Sequence, residues 1–145
     1  YKNHRLIPKL YTLSIKRLVF VASKELYEQM GENNNIYDYP FIAYPASEVY
    51  YKHLKSKVDF TRLQSILTFS DSESVLMAVE QNLGIALTPR VKVRKELEQG
   101  ILVEFPVKYS GNMPISVLYD YEFNFTLPTK RFLELLKESQ EKIKG

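Results

Sequence analysis

An α/β fold, with helices packed on both faces of a parallel sheet, is what three features of this chain predict. Between residues 41 and 105, apolar runs of strand length alternate with amphipathic segments of helix length. Strand and helix in strict turn imply right-handed crossovers between parallel strands. Ile85, Ala86 and Leu87 form an unbroken apolar run with no polar face, the composition of a strand covered on both sides. Gly84 and Gly100 punctuate the alternation, each following a helix-patterned segment, where a glycine ends a helix at a fixed point.

Residues 6–11 and 18–22 read as two strands and residues 24–30 as a short helix, followed by the polar, turn-rich loop GENNNIYDYP at 31–40. The alternation then runs strand 41–44, helix 47–57, strand near 63–69, helix 72–83, strand 85–88, helix 91–98 and strand 101–105. In helix 72–83, Leu76, Val79 and Leu83 recur at helical spacing as an apolar stripe. Gly84 then stands where a left-handed C-terminal position is expected. Ser70 and Glu73 make an S-x-x-E capping box, and Ser47 has the side chain to cap the helix that follows it. The loop YSGNMP at 109–114 leads to a strand at 115–121 and a helix from about 127, with Phe132, Leu136 and Ile143 on one side.

A chain of 145 residues with 45% apolar residues is long enough to bury a core. It holds no apolar stretch approaching the roughly 20 residues of a membrane span. With no cysteine, disulfides, thiolate metal sites and cysteine nucleophiles are excluded together. The net charge of +3 comes from dispersed Lys and Arg, with small clusters at Lys2, His4, Arg5, Lys9 and at Lys16, Arg17; a nucleic-acid surface needs a denser stripe. His4 and His53 have no partner at metal-ligand spacing, and no G-x-S-x-G, G-x-G-x-x-G or phosphate-loop lysine occurs. Asp120 and Glu122 alternate on one strand face, but nothing nearby in sequence desolvates either carboxylate, so a solvated strand end accounts for them. No catalytic residue, metal or cofactor is expected.

The segment VLMAVEQNLGIALTPRVKVRKELEQGILVEFPV, residues 75–107, resembles the signature of the effector-binding domain of LysR-type transcriptional regulators. The matching residues are Leu83, Gly84, Ile85, Ala86, Leu87 and Pro89, then Gly100, Leu102 and Val103. Asn82 stands where the family often has its first glycine, and asparagine tolerates the same left-handed geometry. Thr88 stands where an apolar residue is usual. The likeness extends over residues 17–28 and 114–138. It implies a two-lobed fold of the periplasmic-binding-protein type 2 class: one complete Rossmann-like subdomain at 24–107, with residues 1–23 and 108–145 as a remnant of the other subdomain, its crossing strands, return strand and last helix. Nothing resembling the family's winged helix-turn-helix precedes Tyr1, so a fragment of a longer regulator is expected.

In open α/β sheets a ligand sits beyond the C-terminal ends of the strands. That rule nominates Tyr44, Phe69 and Thr88 at strand ends, and Ser47, Ser70 and Asp71 at helix starts, where free N–H groups attract an acidic ligand. Against this, Asp71 and Glu73 already place negative charge on that turn, and capping alone explains Ser47 and Ser70. The resemblance adds Val21, Ala22 and Ser23 at the expected crossing between subdomains. The implied function is a non-enzymatic, cytoplasmic sensor that binds a small-molecule effector between two lobes. DNA would be reached only through the absent helix-turn-helix, homo-oligomerisation is expected in the intact protein, and no membrane is involved. A solute-binding protein of the related two-lobed fold is the alternative, and an enzyme the third possibility.

Overall fold

The computed structural model describes residues 9–44, 47–119 and 127–142. Its strands are β1 (Lys9–Ser23), β2 (Pro40–Ala43), β3 (Gln64–Thr68), β4 (Ala86–Pro89), β5 (Leu102–Glu104) and β6 (Gly111–Tyr119). Its α-helices are α1 (Lys24–Gln29), α2 (Ser47–Leu54), α3 (Ser72–Glu80), α4 (Arg94–Glu98) and α5 (Leu127–Lys142). Short 3-10 turns span Ile36–Asp38, Phe60–Arg62, Arg90–Val93 and Val107–Tyr109. The chain divides into two compact units, one from residues 1–16 and 114–144 and the other from 17–113.

Among the described residues two sheets are present, one with β1 between β4 and β5 and with β6 also paired to β1, the other of β2 and β3; a single bridge joins them in the order β3-β2-β4-β1-β5. β2 and β3 are parallel, with Ala43 opposite Thr68. Phe41 bridges Ile85 in the parallel sense, joined by Ile42 N–H to Ile85 O and Ile85 N–H to Pro40 O, both 2.9 Å. β1 then runs antiparallel between β4 and β5, so β2, β3, β4 and β5 all point the same way. The parallel crossovers read from the sequence are therefore present, with one reversed strand inserted among them.

Alternation along each strand sends side chains to opposite faces; both faces are covered at β1, β2 and β4, while β3 is exposed along its length. Leu18, Phe20, Ala22, Phe41, Ile85 and Leu87 pack with Tyr39, Leu54 and Tyr109 on one face. Val19, Val21, Ile42, Ala86 and Leu102 pack with Val75, Ala78 and Val79 of α3 and Val93 on the other. Each large side chain so buried contributes about 1.5–3 kcal/mol, which is why Ile85 to Leu87 carry no polar face.

Several local expectations need correction. The two strands expected at 6–11 and 18–22 are one strand from residue 9 to 23; residues 6–8 lie outside the described set. α3 buries Val75, Ala78 and Val79, while Leu83 is 45% exposed, because the helix ends at Glu80 before Leu83 can join its stripe. Asn82, not Gly84, takes the left-handed conformation, with φ 67°. Gly84 is needed for a different reason: a Cβ there would lie 2.5 Å from Pro40 O, so only glycine lets β4 approach β2. The expected cap at Ser70 moves by one residue and without a reciprocal box, since Asp71 is the N-cap of α3 and accepts from Ser74 N–H at 2.7 Å. The helix expected at 91–98 begins as a 3-10 turn without a capping side chain and becomes α-helical only at Arg94.

β6 pairs with β1 in the same sheet, and in the other unit α5 buries Leu133. Phe132, expected on the packed side, is 60% exposed; Ile143 lies outside the described residues. β6 starts at Gly111, inside the expected 109–114 loop. Asp120 and Glu122 lie outside the described residues.

Candidate functional site

The parallel run of β2, β3 and β4 brings their C-terminal ends to one edge of the sheet. Ala43 and Thr68 are paired there, and Pro89 pairs with Leu18 of β1. Tyr44, Phe69 and Thr88 follow or occupy these ends. Tyr44 and Phe69 are partly buried against the core face that includes Val75 and Val79. Tyr44 also lies near Tyr50, whose phenol pKa is pushed up first by burial and then by the neighbouring Tyr44. Thr88 is 5% exposed and its hydroxyl donates to Pro89 O at 3.3 Å. Its extra polar atom is thus occupied locally within the strand end.

Ser70 is exposed on the turn that enters α3, and Asp71 caps that helix with both carboxylate oxygens, the second accepting from Ser74 Oγ at 3.0 Å. Ser47 is the first residue of α2; its side chain lies outside the described set. The six residues nominated by the strand-end rule therefore share one edge.

Val21, Ala22 and Ser23 do not join them. Val21 and Ala22 are fully buried in the two core faces. Ser23 pairs with Leu102 at the start of β5, which is the opposite edge. There it caps α1, accepting from Leu26 N–H at 3.0 Å, and donates to Asn82 Oδ1. Because β1 continues unbroken through residue 23, the part of β1 at the strand-end edge is Arg17 and Leu18.

That edge carries a charged arrangement the sequence reading did not single out. Glu104, at the C-terminal end of β5, accepts from Arg90 Nε at 2.8 Å and pairs with Arg17 Nη2 at 3.3 Å. One carboxylate between two guanidiniums leaves a local surplus of one positive charge, in side chains that are 21–37% exposed. The available signal was positional: Arg90 directly follows the last residue of β4, and Arg17 belonged to a noted basic pair. Chemically the edge offers spare guanidinium N–H donors, phenol and serine hydroxyls and two helix starts. Among the described residues no group of His, Cys, Asp and Glu is arranged to hold a metal ion, and no helix is long and apolar enough to cross a membrane.

The model of the LysR substrate binding domain family matches residues 12–141. Among solved structures, the regulatory domain of HypT from Salmonella typhimurium superposes with a TM-score of 0.65 at 16% identity, covering 97% of this chain and 68% of that one. The regulatory domain of CrgA, a LysR-type transcriptional regulator from Neisseria meningitidis, gives 0.68 at 17% identity, covering 91% and 68%. The regulatory domain of CcmR from Synechocystis PCC6803, solved in complex with 2-PG, gives 0.66 at 16% identity, covering 100% and 73%. No curated protein sequence matches.

Proposed function

Because the chain belongs to the LysR substrate binding domain family, we propose that it is the effector-sensing part of a LysR-type transcriptional regulator, and that it binds a small acidic metabolite at the strand-end edge of the 17–113 unit. The observation that carries the site is the convergence of three parallel strand ends with the Arg17–Glu104–Arg90 arrangement. Tyr44, Ser47, Phe69, Ser70, Asp71 and Thr88 complete it. Arg90 and Arg17 supply charge to an acidic group and Ser70 a hydroxyl, while Tyr44 and Phe69 provide an apolar wall.

In this reading the 17–113 unit, rather than residues 24–107, corresponds to the second effector-binding subdomain, and the residues on either side of it belong to the first. Ligand binding shifts the arrangement of the two lobes, and it does so only through unequal affinity for the alternatives. DNA is contacted by a helix-turn-helix elsewhere in the intact protein. The chain catalyses no reaction and works in the cytoplasm, in keeping with a family of transcriptional regulators that act on DNA. Self-association of the intact protein is supported by exposed apolar side chains: Ile66 on β3 is 56% exposed and Met77 on α3 is 67% exposed, and such surface invites burial against another chain.

The test is calorimetry on the intact protein with a panel of small carboxylic and phosphoric acids. A hit should lose about tenfold or more in affinity in Arg90→Ala, the scale of a lost charge-assisted hydrogen bond. Ser70→Ala should weaken it more than Ser139→Ala does. Equal affinities in all four proteins would remove the site assignment.

A further inference from the structure

Away from the strand ends, the loops that lead into β2 and β3 and the 3-10 turn after β5 enclose an open pocket of about 610 Å³ lined by Asn33, Asn34, Asn35, Tyr37, Lys57, Arg62, Lys108 and Tyr109. We propose that this pocket is a second ligand site, separate from the effector edge, that takes a phosphorylated small molecule of sugar-phosphate to nucleotide size.

The charge argument comes first. Lys57, Arg62 and Lys108 face one pocket, and the ion pairs among the described residues involve none of them. Two carboxylates lie nearby and both are already engaged. Asp38 accepts from Asn33 Nδ2 at 2.9 Å, and Asp59 accepts from the Thr61 N–H and hydroxyl and lies close enough to Arg62 to be favoured by its charge. Three cations line the pocket and no carboxylate does, so its wall is net positive.

Second, two of the cations are held in place. The Arg62 guanidinium lies 4.0 Å from the Tyr37 ring centroid and Lys108 Nζ 5.1 Å from that of Tyr109, and the two rings meet edge to face at 6.2 Å and 90°. Tyr37 is itself anchored, its hydroxyl accepting from Asp59 N–H at 2.9 Å and its carbonyl from Gln64 Nε2 at 2.8 Å. Such stacking fixes the guanidinium plane at small entropic cost and leaves its N–H groups outward.

Third, the amides are polarised the same way. Asn33 Oδ1 accepts from Asn35 N–H at 2.9 Å and Asn35 Oδ1 from Tyr37 N–H at 3.1 Å, so backbone donors consume these oxygens. The Asn35 Nδ2 group is left as a donor on a wall that already presents ammonium and guanidinium groups. A pocket that offers donors and positive charge, with its acceptors used internally, selects an anion. A phosphate, with its two charges and three acceptor oxygens, uses more of these donors than a single carboxylate can. The pocket is open to solvent on one side, so beside the anion there is room for the organic part of a phosphate ester.

The experiment uses the intact protein with ribose 5-phosphate, adenosine 5′-monophosphate and inorganic phosphate as probes and adenosine as the uncharged control, read by calorimetry and phosphorus NMR at two ionic strengths. An organic phosphate should bind with millimolar or better affinity, more tightly than inorganic phosphate, and less tightly at high salt. The double variant Lys57→Ala/Lys108→Ala should lose about tenfold or more, Arg62→Lys should lose less, and Ser139→Ala, exposed on α5, should be unchanged. Circular dichroism of each variant confirms that the fold is kept. Absence of saturation up to about 10 mM, equal binding by wild type and the double variant, or a loss confined to Arg90→Ala would each overturn the second site. The last of these outcomes would leave the proposed effector edge standing.

Discussion

Replacing Gly84 by alanine should separate β2 from β4, and the size of the effect follows from the geometry. The added Cβ would lie 2.5 Å from Pro40 O and 3.0 Å from Pro40 C, both backbone atoms that cannot swing aside, and 3.3 Å from Ile42 Cγ1. Relief requires the strands to part at the point where the Ile42–Ile85 and Ile85–Pro40 hydrogen bonds close the sheet. Losing or stretching two such bonds costs about 1–3 kcal/mol together, and overpacking adds about 1–3 kcal/mol. The expected loss is thus about 2–6 kcal/mol, which for a domain of roughly 100 residues lowers the melting temperature by at least about 8 °C. Thermal and denaturant unfolding followed by circular dichroism would measure it. Gly100→Ala is the contrast: φ is +75° and no atom lies within 4 Å of the new Cβ, so only the left-handed strain of about 1–2 kcal/mol applies. If Gly84→Ala unfolds within about 0.5 kcal/mol of wild type, the close-approach account of this glycine is wrong, and with it the joining of β2–β3 to the rest of the sheet.

Other substitutions separate capping from ligand contact. Asp71→Ala should destabilise by about 1 kcal/mol, while Ser70→Ala stays within about 0.5 kcal/mol, in urea titrations; the reverse order would restore Ser70 as the cap of α3. Ser23→Ala removes the cap of α1 and the partner of Asn82 Oδ1, and should cost about 1–2 kcal/mol by the same measure. Burial raises the Tyr50 pKa above its ordinary 10.0, so the folded state holds that proton longer than the unfolded one. Stability from this group is complete below pH 10 and is lost as pH climbs toward the folded value, and Tyr50→Phe should flatten the alkaline limb of the unfolding profile. The Asp59 pKa is lowered from 3.8, chiefly by the Thr61 hydroxyl. Its contribution is present above 3.8 and disappears as acid protonates the folded carboxylate, so Asp59→Asn should reduce the acid-limb slope measured by pH-jump unfolding.

The parallel core of the larger unit was legible because burial on both faces leaves a clear mark on Ile85, Ala86 and Leu87, and because glycine and proline punctuate each crossover. What the chain concealed were properties set by neighbours distant in sequence. Gly84 reads as a helix stop, yet its role depends on Pro40. The stripe through Leu83 has correct spacing, but the helix ends too early to use it. Lys9–Ser23 looks like two strands because its apolar stretches are interrupted, although it is one strand that pairs with β4 and β5 only from Leu18 onward and with β6 as well. The strand-end rule gathered Tyr44, Phe69, Ser70, Asp71 and Thr88 on one edge, since it needs only strand direction. It missed Arg17, Arg90 and Glu104, whose relation appears only after β1 has been placed between β4 and β5. The nominees Val21, Ala22 and Ser23 came from a family likeness about the crossing, and the unit boundary falls instead beside Arg17.

The position of β1 has a kinetic consequence. It is the first strand of its sheet to be synthesised, but it lies between two strands made much later, with Ser23 opposite Leu102. At typical elongation rates of about 5–20 residues per second, roughly 4–16 seconds pass between emergence of the two partners. During that interval β1 can pair with β4 but not with β5, so the sheet can only form with the β5 side of Val21, Ala22 and Ser23 open. Completion of the unit is therefore gated by the arrival of Leu102 to Glu104, which makes nascent chains halted just short of residue 102 the species most prone to capture by chaperones or to aggregation.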